Sequence, residues 1–237
     1  MRIKSKHAAP ALIILVSALI SASTLLINSV ESLNENPYLS VIIIQLIVMA
    51  LPTVFYCRLR HNELDGRLRI RIFGVGHIML IVFGAILIIA GNAFISISMF
   101  RLFPDAYTGS LASDLTDVAF SGTTNYFYAA VAFALLPAMT EEFLFRSVIV
   151  AEYENHGIFT AVVISSLMFA MVHFNFIKLP SYFFTGIVLA SVMYASRSVL
   201  ASITVHIICN ITTLFFDEYL NRLFLNNASG LVLLHII

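Results

Sequence analysis

The sequence predicts an all-α fold, a polytopic transmembrane helix bundle with seven to eight spans and a cytoplasmic N-terminus. Three observations predict it. Of 237 residues, 60% are hydrophobic and only 11% are charged, and the mean hydropathy of +0.96 lies far outside the range of ordinary soluble domains. Apolar runs recur at lengths near the ~20 residues that cross a bilayer as a helix. Lysine and arginine gather in alternate connections between those runs, the asymmetry that orients membrane proteins.

The first run covers 8–28 and follows Arg2, Lys4 and Lys6. A basic start, an apolar stretch and small residues also fit a signal peptide, but a run reaching Ile27 favours a first membrane helix. Further runs lie at 39–57, 72–100, 126–150, 158–175, 181–196 and 199–216. The third is longer than a bilayer requires and is expected to tilt or protrude. A weaker run at 223–237, interrupted by "NNASG", is expected to be an eighth span or an interfacial helix. No internal repeat or soluble domain intervenes. The chain is therefore expected to form one integral-membrane domain, with motif-free spans in 1–125, a motif-bearing core in 126–216 and a tail in 217–237.

Arg58, Arg60, Arg67, Arg69 and Arg71 fill the second connection, and Arg197 lies between the sixth and seventh runs. With the three N-terminal cations these make nine on one side, against Arg101, Lys178 and Arg222 on the other. The larger group is expected inside. The connection from Arg101 to Asn125, with Asp105, Asp114 and Asp117, then faces out as a solvated loop. Zero net charge gives no reason to expect nucleic acid as a partner. Cys57 and Cys209 show no metal-binding or disulfide spacing and are read as small buried hydrophobes. Gly186 and Ala190, four apart, favour close helix packing, and Asn92 is expected to bond across helices.

The informative residues are the polar ones inside the apolar runs. "AMTEEFLFRSV" places Glu141, Glu142 and Arg146 within a membrane helix, where each isolated charge costs roughly 2.5–3.5 kcal/mol. Glu142 and Arg146 are four apart, on one face and in the favourable order, so they are expected to pair. Glu141, rotated about 100° from Glu142, is left without a partner in its own helix. Pro137 removes a backbone donor just before the glutamates and is expected to kink the helix. His173 is the only ionisable side chain of "SSLMFAMVHFNF", and His206 and Asn210 share a face of "ASITVHIICNITT". Unpaired polar groups are costly in lipid, so these are expected to converge. By count from the inner helix ends, Glu141 and His206 come out roughly 10–14 Å deep and His173 deeper, at about 20 Å. A carboxylate and an imidazole around a water form a general-base hydrolysis site, and a second His with an Asn supplies donors for an oxyanion. The motifs GxSxG and HExxH are both absent from the sequence.

These residues carry a resemblance. "EEFLFR" matches EExxxR, "FAMVH" matches FxxxH and "HIICN" matches HxxxN, in order, within Tyr126–Phe216. The chain thereby resembles the CPBP (CAAX protease and bacteriocin-processing, or Abi) family of intramembrane endopeptidases. The resemblance implies that Glu141 and His173 activate the hydrolytic water, that His206 and Asn210 form the oxyanion hole, and that Glu142 and Arg146 support the first motif. It also implies a bundle of about eight spans with a site reached from the cytoplasm. The family often has Gly after the motif arginine, where this chain has Ser147. No cofactor is expected. A zinc ion held by Glu141, His173 and His206 is the lesser alternative, because Asn210 is better explained as a donor than as a ligand.

The expected activity is hydrolysis of peptide bonds in membrane-associated peptides or membrane-tethered proteins, in a multi-pass protein of the plasma membrane. The rival reading is a non-catalytic bacteriocin-immunity-type membrane protein, or a proton-coupled carrier using the same Glu and His residues as a relay. Such a relay has no use for the HxxxN face, and transporter-type repeats are not evident. Neither the substrate nor the oligomeric state is written in the sequence.

Overall fold

The computed structural model describes residues 8–106 and 125–233. Arg2, Lys4, Lys6, Asp114, Asp117 and the last four residues lie outside the described residues. Among the described residues, seven principal helices build the bundle: α1 (Ala8–Ser29), α2 (Pro37–Leu59), α3 (Val75–Leu102), α4 (Tyr126–His156), α5 (Ile158–Met171), α6 (Leu179–Ser196) and α7 (Val199–Leu233). No strand occurs among the described residues. Six of the helices are long and apolar enough to cross a membrane, α7 by its segment Val199–Phe216. The chain is an all-α, multi-pass membrane protein.

Two departures from the expected spans bear on the site. α5 has only 14 residues, about 21 Å of helix against the ~30 Å of a hydrocarbon core. It stops before His173 instead of running on to 175. In the described part of the weak run at 223–237, to Leu233, α7 continues unbroken and no separate helix opens.

Helices α2 and α4 are not regular. Each contains a widened, π-helical turn just ahead of a proline: Ile44–Ala50 before Pro52, and Ala130–Leu135 before Pro137. Proline lacks an N–H, and its ring crowds the carbonyl four residues back, so the preceding turn opens. The disturbance expected at Pro137 thus takes the form of a widened turn within an unbroken helix. A second widened turn, Phe143–Ile149, directly follows the two glutamates and contains no proline.

The most deeply buried of the membrane-length helices is α4. Its Leu144, Phe145, Val148 and Ile149 pack with Leu12 and Val16 of α1, Met49 and Tyr56 of α2, and Phe169 of α5. A second apolar cluster joins α3, α6 and α7 through Ile81, Ile88, Leu189, Val192 and Val205. The turn from α4 into α5 uses Gly157 at φ +101°, a conformation that side-chain-bearing residues rarely adopt. Between α5 and α6, a Cβ on Gly186 would stand 2.9 Å from the Ser166 Cα, so only glycine permits this approach. Asn92 donates from α3 to the Thr185 hydroxyl of α6 at 2.9 Å, the bond across helices expected of it.

The arginine-rich connection after α2 is tied to the end of α4. Arg60 binds Glu152 with two nitrogens, at 3.0 and 2.8 Å, and the Tyr56 hydroxyl joins them at 2.9 Å. Arg67 donates to the Ala151 carbonyl and Arg69 pairs with Glu154. Cations at a helix C-terminus meet its free carbonyls and the negative end of its dipole.

Candidate active site

Four helix segments bring the polar residues of the apolar core together. Glu141 and Glu142 lie on α4, at the boundary between its regular turns and the widened turn Phe143–Ile149. Glu142 is fully buried and its Oε1 lies 2.9 Å from the equally buried Nη1 of Arg146. The guanidinium is held from two further directions. Nη2 donates to the Gly186 carbonyl of α6 at 3.2 Å, and the Phe169 ring lies face-on at 4.4 Å.

Glu142 does more than sequence spacing suggests. The same Oε1 lies 3.0 Å from Nδ1 of His206 on α7. A carboxylate paired with an arginine accepts hydrogen bonds, so the Nδ1 proton of His206 points at it. His206 therefore turns Nε2 the other way, toward Glu141, whose Oε2 is 4.0 Å distant.

His173 reaches the same oxygen from the opposite wall. It sits beyond the last residue of α5, in the turn before α6. Its Nδ1 lies 2.7 Å from the Phe169 carbonyl, one of the free carbonyls of the helix end. A carbonyl only accepts, so Nδ1 carries the proton and Nε2 presents a lone pair. That Nε2 is also 4.0 Å from Glu141 Oε2. The ring is stacked on Tyr182, with centroids 4.0 Å apart and planes at 21°, and Phe169 meets it edge-on at 4.8 Å.

Both 4.0 Å separations exceed a direct hydrogen bond. A single water at about 2.8 Å from each partner spans such a gap. Glu141 is 8% exposed, enclosed but not sealed. Its depth agrees with that of His173 better than the sequence suggests, because α4 continues to His156 instead of ending near 150. Both residues then lie fifteen positions from the ends that meet at Gly157, about 22 Å along their helices.

Asn210, one turn beyond His206, donates to the Ala134 carbonyl at 3.4 Å. That carbonyl lies in the widened turn ahead of Pro137. One amide hydrogen is thus directed at α4, and the amide retains a second. Thr140, next to Glu141, bonds Gln45 of α2. Gln45 and Tyr182 carried no motif, and pairing across helices leaves no mark on the spacing within one helix. Ser147, standing where the family often has glycine, donates to the Leu68 carbonyl at 2.9 Å and so helps hold the arginine-rich connection.

Among the described residues, no group of three or more His, Cys, Asp and Glu side chains could hold a metal ion. Tetrahedral zinc with ligands at about 2.0–2.1 Å brings donor atoms to about 3.3 Å of each other. Glu141, His173 and His206 stand wider than that as arranged.

Residues 123–212 match the family model described as type II CAAX prenyl endopeptidase Rce1-like. No curated protein and no solved structure matches the chain. The matched span contains all three motifs, both glutamates, the arginine, both histidines and the asparagine of the site. Over this span the chain is similar to the CPBP, or CAAX protease, family of membrane-embedded peptidases.

Proposed function

We propose that the protein is a glutamate-dependent intramembrane endopeptidase that hydrolyses peptide bonds of membrane-associated peptides or membrane-tethered proteins. The observation that carries the reading is the position of Glu141 Oε2, 4.0 Å from Nε2 of both His173 and His206. A water between Glu141 and His173 meets two acceptors, so both of its protons are directed away from the attacking lone pair. Its oxygen bonds to the carbonyl carbon of the substrate, and its proton passes to Glu141. The resulting oxyanion is met by His206 and by the second amide hydrogen of Asn210. His206 serves in this step as the imidazolium, with Nδ1–H on Glu142 and Nε2–H toward the oxyanion. Two carboxylates then balance Arg146 and His206, so the buried cluster carries no net charge. Collapse of the intermediate breaks the C–N bond, and Glu141 returns the proton to the leaving amine.

The family model is named for a prenyl endopeptidase, which makes a lipidated C-terminal segment one substrate to try. The nine-against-three distribution of lysine and arginine supports a site open to the cytoplasm, and the plasma membrane is the location we propose. The test uses purified protein in lipid with quenched-fluorescent peptides, with and without a prenyl anchor. Glu141→Gln and His173→Ala are expected to lower kcat at least ~10³-fold with unchanged thermal unfolding. Wild-type rates in both variants would refute the reading. A binding-only immunity protein would keep its cellular effect in Glu141→Gln. Chelation with phenanthroline is expected to leave the rate unchanged, whereas loss reversed by zinc would establish a metal enzyme.

A further inference from the structure

His173 stands outside the hydrogen-bonded body of α5, which ends at Met171 with Val172 as its cap. The residue after it, Phe174, has φ +51°, a strained conformation for a bulky side chain. The backbone here leaves its helix and turns sharply, so helical geometry alone does not set the direction of the imidazole. Two contacts do. The Phe169 carbonyl takes the Nδ1 proton at 2.7 Å, which fixes one edge of the ring but leaves it free to swing about that bond. The Tyr182 ring, on the first turns of α6, lies against one imidazole face at 4.0 Å and 21°, which removes the swing.

From this geometry we infer that Tyr182 is a positioning residue for the reaction, holding His173 so that its Nε2 faces the water beside Glu141. The inference rests on the hydrolytic reading above. The part that matters is the aromatic face, so a ring without the hydroxyl is expected to serve equally well.

The experiment measures kcat and KM separately on the full-length protein in lipid. Tyr182→Phe is expected to retain kcat within about twofold. Tyr182→Leu, which keeps an apolar side chain in the helix, is expected to lose about tenfold in kcat, with KM within twofold. If Tyr182→Leu does not fold, Tyr182→Met supplies the same comparison. The inference is overturned by wild-type kcat in the aliphatic variant, by a loss confined to KM, or by a loss in Tyr182→Phe as large as in the aliphatic variant. His173→Ala separates this failure from that of the wider reading. An inactive His173→Ala beside a fully active Tyr182→Leu removes only the role of Tyr182. Wild-type rates in both His173→Ala and Glu141→Gln remove the hydrolytic reading itself.

Discussion

Two glutamates adjacent in sequence meet different fates because neighbouring positions on a helix differ by about 100°. Glu142 faces inward, is fully buried, and binds Arg146 and His206 through one oxygen. Glu141 faces the enclosed gap between two imidazoles. Their substitutions should therefore separate stability from activity. Glu142→Ala strands a buried guanidinium and removes the acceptor that orients His206, and is expected to cost about 3–5 kcal/mol of stability. Thermal unfolding in detergent measures it, and an unchanged Tm would contradict the buried pairing. Glu141→Gln removes no such partner and is expected to leave Tm within a degree or two of wild type while abolishing cleavage. The pairing of Glu142 with Arg146 is legible in the sequence because both residues lie on one helix, four positions apart. The bond from Glu142 to His206 links positions 64 residues apart, and no spacing rule reaches it.

Among the elements, α5 and α6 are decisive for the site. The Cβ that Gly186 lacks would lie 2.9 Å from the backbone of Ser166, and the Gly186 carbonyl receives Arg146. Gly186→Val is expected to push α6 away from α5, costing about 1–3 kcal/mol. It should also lower kcat, because the separation moves Tyr182 and Arg146 relative to His173. Unfolding and kinetics on the same preparation test both effects, and a variant unchanged in each would show that the helices yield freely. The small-residue spacing at Gly186 and Ala190 foretold close packing. The early end of α5 was not legible, because apolarity continues through Val172 and resumes at Phe174. Hydropathy records where lipid is tolerated, whereas the stop is made by backbone that leaves the helix and by a histidine that bonds the last turn.

Over the whole molecule, the arginines of the connection after α2 have two uses. Their number supports an orientation in the membrane, and three of them also fasten the end of α4. The paired side chains of Arg60 and Glu152 are only 10% and 13% exposed, and their contact is two-pronged, so this pair is stronger than an open surface pair. A double-mutant cycle with Arg60→Ala and Glu152→Ala is expected to give a coupling of about 1–2 kcal/mol in unfolding free energy. A coupling near zero would reduce the pair to a topological signal. Because Glu152 lies in the last turns of the helix that carries Glu141, loosening it is also expected to lower activity modestly.

Composition and the spacing of apolar runs determined by themselves that the chain is an all-α membrane protein, since bilayer thickness and backbone hydrogen bonding leave few ways to cross lipid. The same text made the carboxylates, the arginine and the imidazoles of the candidate site conspicuous, because charge inside an apolar run is costly. The tertiary structure decided which of these groups touch. It gave His206 to Glu142 and left Glu141 facing the Nε2 atoms of two histidines. It ended α5 short and laid Tyr182 against His173. The physical reason is that insertion cost is paid residue by residue along the chain, whereas hydrogen-bond direction, tautomer and ring stacking exist only once separate helices have met.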